Sequence, residues 1–291
     1  MPLSSIPRLN GVIRALEAGE LAVATFVSPP TVENAMAVAS ADYDGAVFEA
    51  EHHPYDIKDL RDCLQYMLNR RQILERGTLA PAVTPLIRVP ANGGEMSQWL
   101  AKQVLDIGAY GVVWPRISTP EQAYNAVAAC RYPRPKSSPA YEPRGVRGDS
   151  PLQAARYWGL TQQEYYARAD VWPLDPRGEI LVVIMCEDVE GVENLPRILR
   201  EVPGIGVVLI GEGDLSQNLG VPRQYDHPAV REAMTAIRRI CQEHGVACGH
   251  PHVTAENAAR VVEEGYRFLM TAPTRSFAGL EACRRLARRT A

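Results

Sequence analysis

Acidic and imidazole side chains recur in clusters along this chain. Glu49, Glu51, His52 and His53 form the first, Glu187 and Asp188 the second, Glu212 and Asp214 the third, and His250 and His252 the fourth, with Arg88 and Arg116 between the first two. Groups of these types bind hard cations, grip carboxylates and move protons. Glu187 and Asp214 stand about one strand–helix repeat apart, so on neighbouring repeats they reach the same height and can share an ion. Two carboxylates without a thiolate suit Mg2+ or Mn2+ better than zinc. The same spacing fits a second reading, in which one or both acids cap the helices that follow them.

The elements that must position these groups are short, nearly continuous apolar runs at 21–27, 45–50, 84–89, 110–115, 180–186, 206–211, 245–250 and 266–272. Runs without polar alternation read as parallel strands buried on both faces. Amphipathic stretches separate them, several opening on Thr, Asp or Ser and closing near Gly. Eight strands alternating with eight helices predict a single (β/α)8 barrel spanning residues 1–291. Every acidic, histidine and arginine cluster then follows a strand end, where barrel enzymes carry their chemistry. A Pro- and Arg-rich stretch, 131–178, breaks the rhythm after the fourth strand and reads as an extended active-site or interface loop. Residues 69–83 form a smaller insertion, read as surface or subunit contact.

Composition removes several classes. The 291 residues are 46% hydrophobic and 22% charged, which excludes a largely disordered chain. A net charge of −3 gives no basic field for nucleic acid or acidic membranes, and no run is long enough to span a bilayer. Six scattered cysteines form no CxxC pair, so reduced thiols are expected. Charges lie where a signal peptide needs an apolar core, and the expected location is cytoplasmic. Lys58, Lys102 and Lys136 all lie away from the strand ends, which disfavours Schiff-base chemistry.

Five ordered segments carry a resemblance. DGAVFEAEHHPYD, PLIRVP, VLDIGAYGVVWP with EPRGVRG, the glutamate of MCEDVEGVENL, and IGEGDLSQNLG resemble motifs of the class II 2-oxo acid aldolases of the HpcH/HpaI type, over roughly residues 8–285. The resemblance implies a pyruvate-type barrel and a metal-dependent lyase that reversibly cleaves a 4-hydroxy-2-oxo acid to pyruvate and an aldehyde through a metal-bound enolate. It implies that Glu187 and Asp214 hold a divalent cation (Mg2+, or Mn2+ or Co2+) and that Arg88 contacts the pyruvate unit. It also implies that His52 moves the proton of the 4-hydroxyl, with Asp106 as its paired carboxylate. Main chain around Gly211 and Gly213 is expected at the pyruvate carboxylate, where small residues let backbone approach an anion. Arg144 and Arg147 are placed at the substrate entrance, and Trp114 and Arg147 are expected to bind substrate. Relatives of this type point to a homo-oligomer, a hexamer in particular, with the helix of SFAGLEACRRLARR exchanged between subunits.

The pattern is not kept everywhere. Met185 stands where many members carry Gln, Glu49-Ala50-Glu51-His52 replaces Asp-Gly-Glu-His, and Glu212-Gly213 replaces Pro-Ala. The 131–178 loop adds Trp158, Tyr165, Tyr166 and Trp172. These changes touch the acceptor half of the site. They keep open an alternative on the same metal–enolate chemistry, an oxaloacetate decarboxylase or a macrophomate-synthase-like carbon–carbon bond former.

Overall fold

Eight of the nine strands in the computed structural model, which describes residues 6–90, 96–271 and 277–288, pair in parallel around a closed ring. They are β1 (Ala22–Val27), β2 (Gly45–Glu49), β3 (Thr84–Arg88), β4 (Gly111–Trp114), β6 (Ile180–Cys186), β7 (Val207–Ile210), β8 (Ala247–Val253) and β9 (Phe268–Thr271), and β9 pairs with β1 to close the barrel. All seven residues of β6 and all five of β2 are buried. That double-sided burial is why these strands read as unbroken apolar runs. The expected barrel is present, and the eight apolar runs are its eight staves.

Cap chemistry starts the helices where the sequence places them. Thr119 and Gln122 form a reciprocal capping box at Pro120–Ala129, and the Asp56 carboxylate accepts backbone N–H groups at the start of Ile57–Tyr66. Asp188 does the same for Val189–Glu201, accepting from the Gly191 N–H at 2.6 Å. This settles half of the capping alternative, because Asp188 is occupied by the helix while its neighbour Glu187 is not.

The short helix Gly11–Glu17 closes the N-terminal end of the barrel. Gly11 N–H donates to Thr84 Oγ1 at 2.7 Å and the Asn10 amide donates to the Tyr110 carbonyl at 3.0 Å, each at the start of a strand. The fully buried Glu179 carboxylate accepts the Leu9 and Asn10 N–H groups and pairs with Arg168 at 2.8 Å. Removing one partner from such a buried network leaves charge and donors uncompensated. Glu179→Ala is therefore expected to cost about 3–5 kcal/mol by urea denaturation, and a loss below about 1 kcal/mol would show that this network does not hold the plug.

The 131–178 insertion differs from its expected placement. It begins after the helix Pro120–Ala129, which has already carried the chain from the end of β4 back to the N-terminal end of the barrel. There it folds into two short helices, Leu152–Trp158 and Gln162–Tyr166, and a two-residue strand, β5 (Val171–Trp172), paired with the first residues of β6. Trp158 stacks on Tyr110 at 4.3 Å and donates its indole N–H to the Gly108 carbonyl at 2.9 Å, just before β4. The insertion thus lies away from its own chain's strand-end mouth. In 69–83, the helix Arg70–Arg76 buries none of its residues and leaves Leu74 82% exposed. The helix Ala278–Ala287 lies against β1 and β9 of its own chain.

All six cysteines are buried and unpaired. Among the described residues, no helix is long and apolar enough to cross a membrane.

Candidate active site

Four carboxylates and two guanidiniums gather at the C-terminal ends of β2, β3, β4, β6 and β7. Glu187 follows β6, and only 4% of it is exposed. Its Oε1 accepts the Arg116 backbone N–H at 2.6 Å, while the Arg116 guanidinium crosses to Asp214 Oδ1 at 2.7 Å. One residue after β4 thereby ties together the two acids that the sequence assigns to a metal. Arg116 has a left-handed φ of 52°, a conformation a residue with a Cβ seldom adopts.

Burial pushes the Glu187 carboxyl up to about 8, and the negative charges of Glu51 and Asp214 push the same way. Burial likewise raises Glu51, against the pull of the Arg88 and His52 charges. Arg88, at the end of β3, is braced on three sides. It pairs with Glu49, reaches Glu51 Oε2 at 3.1 Å, and lies 4.8 Å from the centre of the Phe26 ring. Met185 fills the position where many members carry Gln, and its sulfur lies 3.8 Å from Arg88 Nη1. Arg88 Nε is buried without a hydrogen-bond partner. Four acids (Glu49, Glu51, Glu187, Asp214) against two arginines leave a formal excess of two negative charges, apart from Asp188, which caps a helix.

Gly211 matters for a steric reason. A Cβ placed on it would sit 2.1 Å from Glu187 Oε2 and 2.6 Å from the Glu187 Cβ, so a hydrogen at this position is what lets the β7 end pass the buried glutamate. Gly213 has open space on the corresponding side. Both lie where main chain was expected at an anion.

His52 reaches the site with its side chain 65% exposed and Nε2 3.5 Å from Glu51 Oε2. Its backbone N–H and that of Glu51 both donate to Glu49 Oε1, so the Glu-Ala-Glu-His turn is held by its own first acid. His53 turns away to Ser28 Oγ at 2.8 Å.

Four expected placements need correction. Asp106 ends the helix Gln98–Asp106, which brings the chain to the start of β4, and its partner in this chain is Arg147 at 2.9 Å rather than His52. Arg147 is not at a substrate entrance. Its side chain is fully buried, 4.2 Å from the centre of the Tyr132 ring, and its guanidinium also donates to the Tyr165 hydroxyl at 3.0 Å. Trp114 is buried too, its indole beside the Cys130 thiol at the end of the helix Pro120–Ala129. Arg144 belongs to the same insertion, where its backbone N–H donates to the Tyr124 hydroxyl at 2.9 Å.

His250 and His252 also depart from the mouth. They line a cavity of about 480 Å3 between the helices Pro228–Glu243 and Ala258–Glu264, together with Arg231, Arg260, Tyr225 and Tyr266. His250 Nδ1 accepts the His252 backbone N–H at 3.2 Å, and burial lowers its pKa to about 4. His252 pairs with Glu212, which explains why an acid stands beside Asp214 without joining the carboxylates of the mouth.

Two strand-end residues that the motifs leave without a role take part in the site. Glu51 stands immediately before the motif histidine, and Arg116 immediately after Trp114-Pro115, past the end of a barrel strand.

A closed parallel barrel whose acids and arginines gather at the C-terminal strand ends defines a barrel enzyme with its chemistry at that face. The profile of the HpcH/HpaI aldolase/citrate lyase family matches residues 24–274, and the chain belongs to this family of carbon–carbon lyases. It is similar to the 2-keto-3-deoxy-L-rhamnonate aldolase of Escherichia coli, with 35% identity over 256 residues covering 87% of this chain and 83% of the relative. Among solved structures it resembles an HpcH/HpaI aldolase/citrate lyase family protein from Burkholderia cenocepacia J2315, with TM-score 0.76, 28% identity, and 97% and 99% of the two chains covered. Macrophomate synthase shares the fold at TM-score 0.67 and 20% identity, with 99% of this chain and 93% of that chain covered.

Proposed function

We propose that the chain reversibly cleaves a 4-hydroxy-2-oxo acid to pyruvate and an aldehyde with the help of a divalent cation held by Glu187 and Asp214. The observation that carries this is the meeting of four acids with only two arginines at the mouth, where Arg116 joins the buried Glu187, through its backbone N–H, to Asp214, through its guanidinium. The donor set fits a hard cation such as Mg2+. A cation of this kind is commonly held by one or two protein carboxylates, and Glu187 and Asp214 would be those two. When bound, the cation supplies a Lewis acid that draws electron density from the 2-oxo group.

The chain's own residues do the rest. Arg88, immobilised by Glu49, Glu51 and Phe26, offers a fixed planar fork to the substrate oxygens. His52, exposed at the rim with Glu51 beside it, takes the proton of the 4-hydroxyl as the C3–C4 bond breaks. Gly211 and Gly213 bring backbone close to the pyruvate carboxylate. Assay of pyruvate release from 4-hydroxy-2-oxo acids, with and without EDTA, tests the proposal. Chelation is expected to abolish release, and release indifferent to EDTA contradicts the cation's role.

The elevated Glu187 pKa fixes the sign of a pH effect. The unfolded carboxyl ionises near 4.5, whereas the folded one holds its proton until about 8, so the folded state binds more protons in that window. Stability of the metal-free protein is therefore expected to fall as pH rises from about 5 to 8, by up to a few kcal/mol. Stabilisation by Mg2+ grows over the same interval, because the cation favours the ionised form. Thermal melts at several pH values, with and without Mg2+, measure both effects, and parallel curves contradict them.

Assembly and location belong to the same proposal. The exposed Tyr66, Leu74 and Trp99 support a homo-oligomer, expected as a hexamer and measurable by light scattering. Six buried free thiols support a reducing, cytoplasmic setting.

A further inference from the structure

Asp214 is the less anchored of the two acids assigned to the cation. Its side chain is 38% exposed, and among the described residues it pairs with Arg116 alone. Its place is therefore set by the backbone of the short helix Glu212–Asn218, whose start has little to hold it. Gly211 at the N-cap has no side chain to bond the free N–H groups, and Gly213 in the first turn adds the backbone freedom of a residue without a Cβ. The motif that this segment resembles carries Pro-Ala at 212–213, and proline at the first helical position fixes φ in advance. This chain lacks that ring.

In the proline's place stands Glu212, only 5% exposed, whose carboxylate reaches His252 Nδ1 at the cavity between the helices. His252 is itself fixed through its main chain on both sides. Its N–H donates to His250 Nδ1 at 3.2 Å, and its carbonyl accepts the Asn257 amide at 2.9 Å. His250 is buried and stands edge-on to Tyr266, with 5.0 Å between the ring centres. Resting on the cation reading above, we propose that His252 is a positioning residue: through Glu212 it pins the first turn of this helix and so holds Asp214 within reach of the cation. A buried carboxylate stripped of its partner stays in place only at a cost. Without the imidazole Glu212 turns out toward water, and the first turn, with Asp214 two residues on, is released.

The test takes two readings on the full chain. Calorimetric titration with Mg2+ is expected to show about 10-fold weaker binding in His252→Phe, and near-parental binding in His252→Asn, whose amide offers a donor close to the Nδ1 position. Amide exchange in the metal-free protein is expected to quicken about 10-fold within Glu212–Asn218 of His252→Phe, and to stay unchanged in the helix Val189–Glu201. In Glu212→Pro/Gly213→Ala, where the proline ring fixes the turn, adding His252→Phe is expected to change neither reading. In a parent that binds Mg2+, either reading unmoved by His252→Phe overturns the proposal, as does the same loss with the proline in place. Exchange that quickens equally in Val189–Glu201 also overturns it, by showing a general loosening of the fold. If the parent binds no Mg2+, the cation reading fails, and the exchange comparison alone decides whether His252 pins the helix.

Discussion

Replacing Glu187 with Gln is expected to lower turnover about 10^3-fold or more and to remove measurable Mg2+ binding, while the protein remains folded. Glu187 follows β6 in a nearly dry position and faces the charges of Glu51 and Asp214. In the absence of a cation this is a frustrated arrangement, because burial and like charge both oppose ionisation. A neutral amide relieves that conflict, so the melting temperature of metal-free Glu187→Gln should equal or exceed that of the parent near pH 8. The combination separates a functional acid from a structural one. A buried acid needed by the fold would lose stability on the same substitution, as Glu179 should. Kinetics, calorimetry and melting curves on one variant therefore check the claim together, and a variant that binds Mg2+ normally contradicts it.

The second large effect is steric. Gly211→Ala puts a methyl 2.1 Å from Glu187 Oε2 and 2.6 Å from its Cβ, closer than real Cβ contacts allow. Since the Glu187 Cβ cannot swing aside like the end of a flexible chain, either the β7 end or the glutamate backbone must shift. A cost of about 1–3 kcal/mol is expected, together with a fall in activity of about 10^2-fold, because misplacing a catalytic group by about 1 Å carries a penalty of that size. Gly213→Ala is the matched control. It stands in the helix Glu212–Asn218 with nothing within 4 Å of the added methyl. Alanine is a better helix former there by about 0.5–1 kcal/mol, so unchanged or slightly raised stability is expected. Equal effects of the two substitutions would show that proximity to Glu187 is not what makes Gly211 necessary.

The barrel was readable because both-faces burial leaves an unmistakable mark. Runs such as Ile180–Cys186 have no polar alternation, and Thr119, Asp56 and Asp188 announce the helices between them. The strand-end places of Glu187, Asp214, Arg88 and His52 were readable for a related reason, since a charged residue at or just past the end of an apolar run has little structural purpose except a cap. Chain order could not say which acid of Glu187-Asp188 would cap, and the Asp188–Gly191 hydrogen bond decides it.

Contacts between distant segments were not legible. Asp106 and Arg147 are far apart in sequence and meet at the N-terminal end of the barrel, because a helix must return the chain there before the next strand begins. The same geometry puts the aromatic insertion at that end, although it was read as following a strand. His250 and His252 carried the right chemistry at a strand end, yet they line the cavity between two helices outside the mouth.

The most direct test is a crystal of the protein grown with Mn2+ and pyruvate, with anomalous scattering recorded to locate the metal. A single peak bonded to one oxygen each from Glu187 and Asp214, with Arg116 turned off Asp214 and pyruvate completing the coordination, is the predicted result. A peak elsewhere, or a mouth in which Arg116 still spans the two acids with no metal between them, would contradict the account.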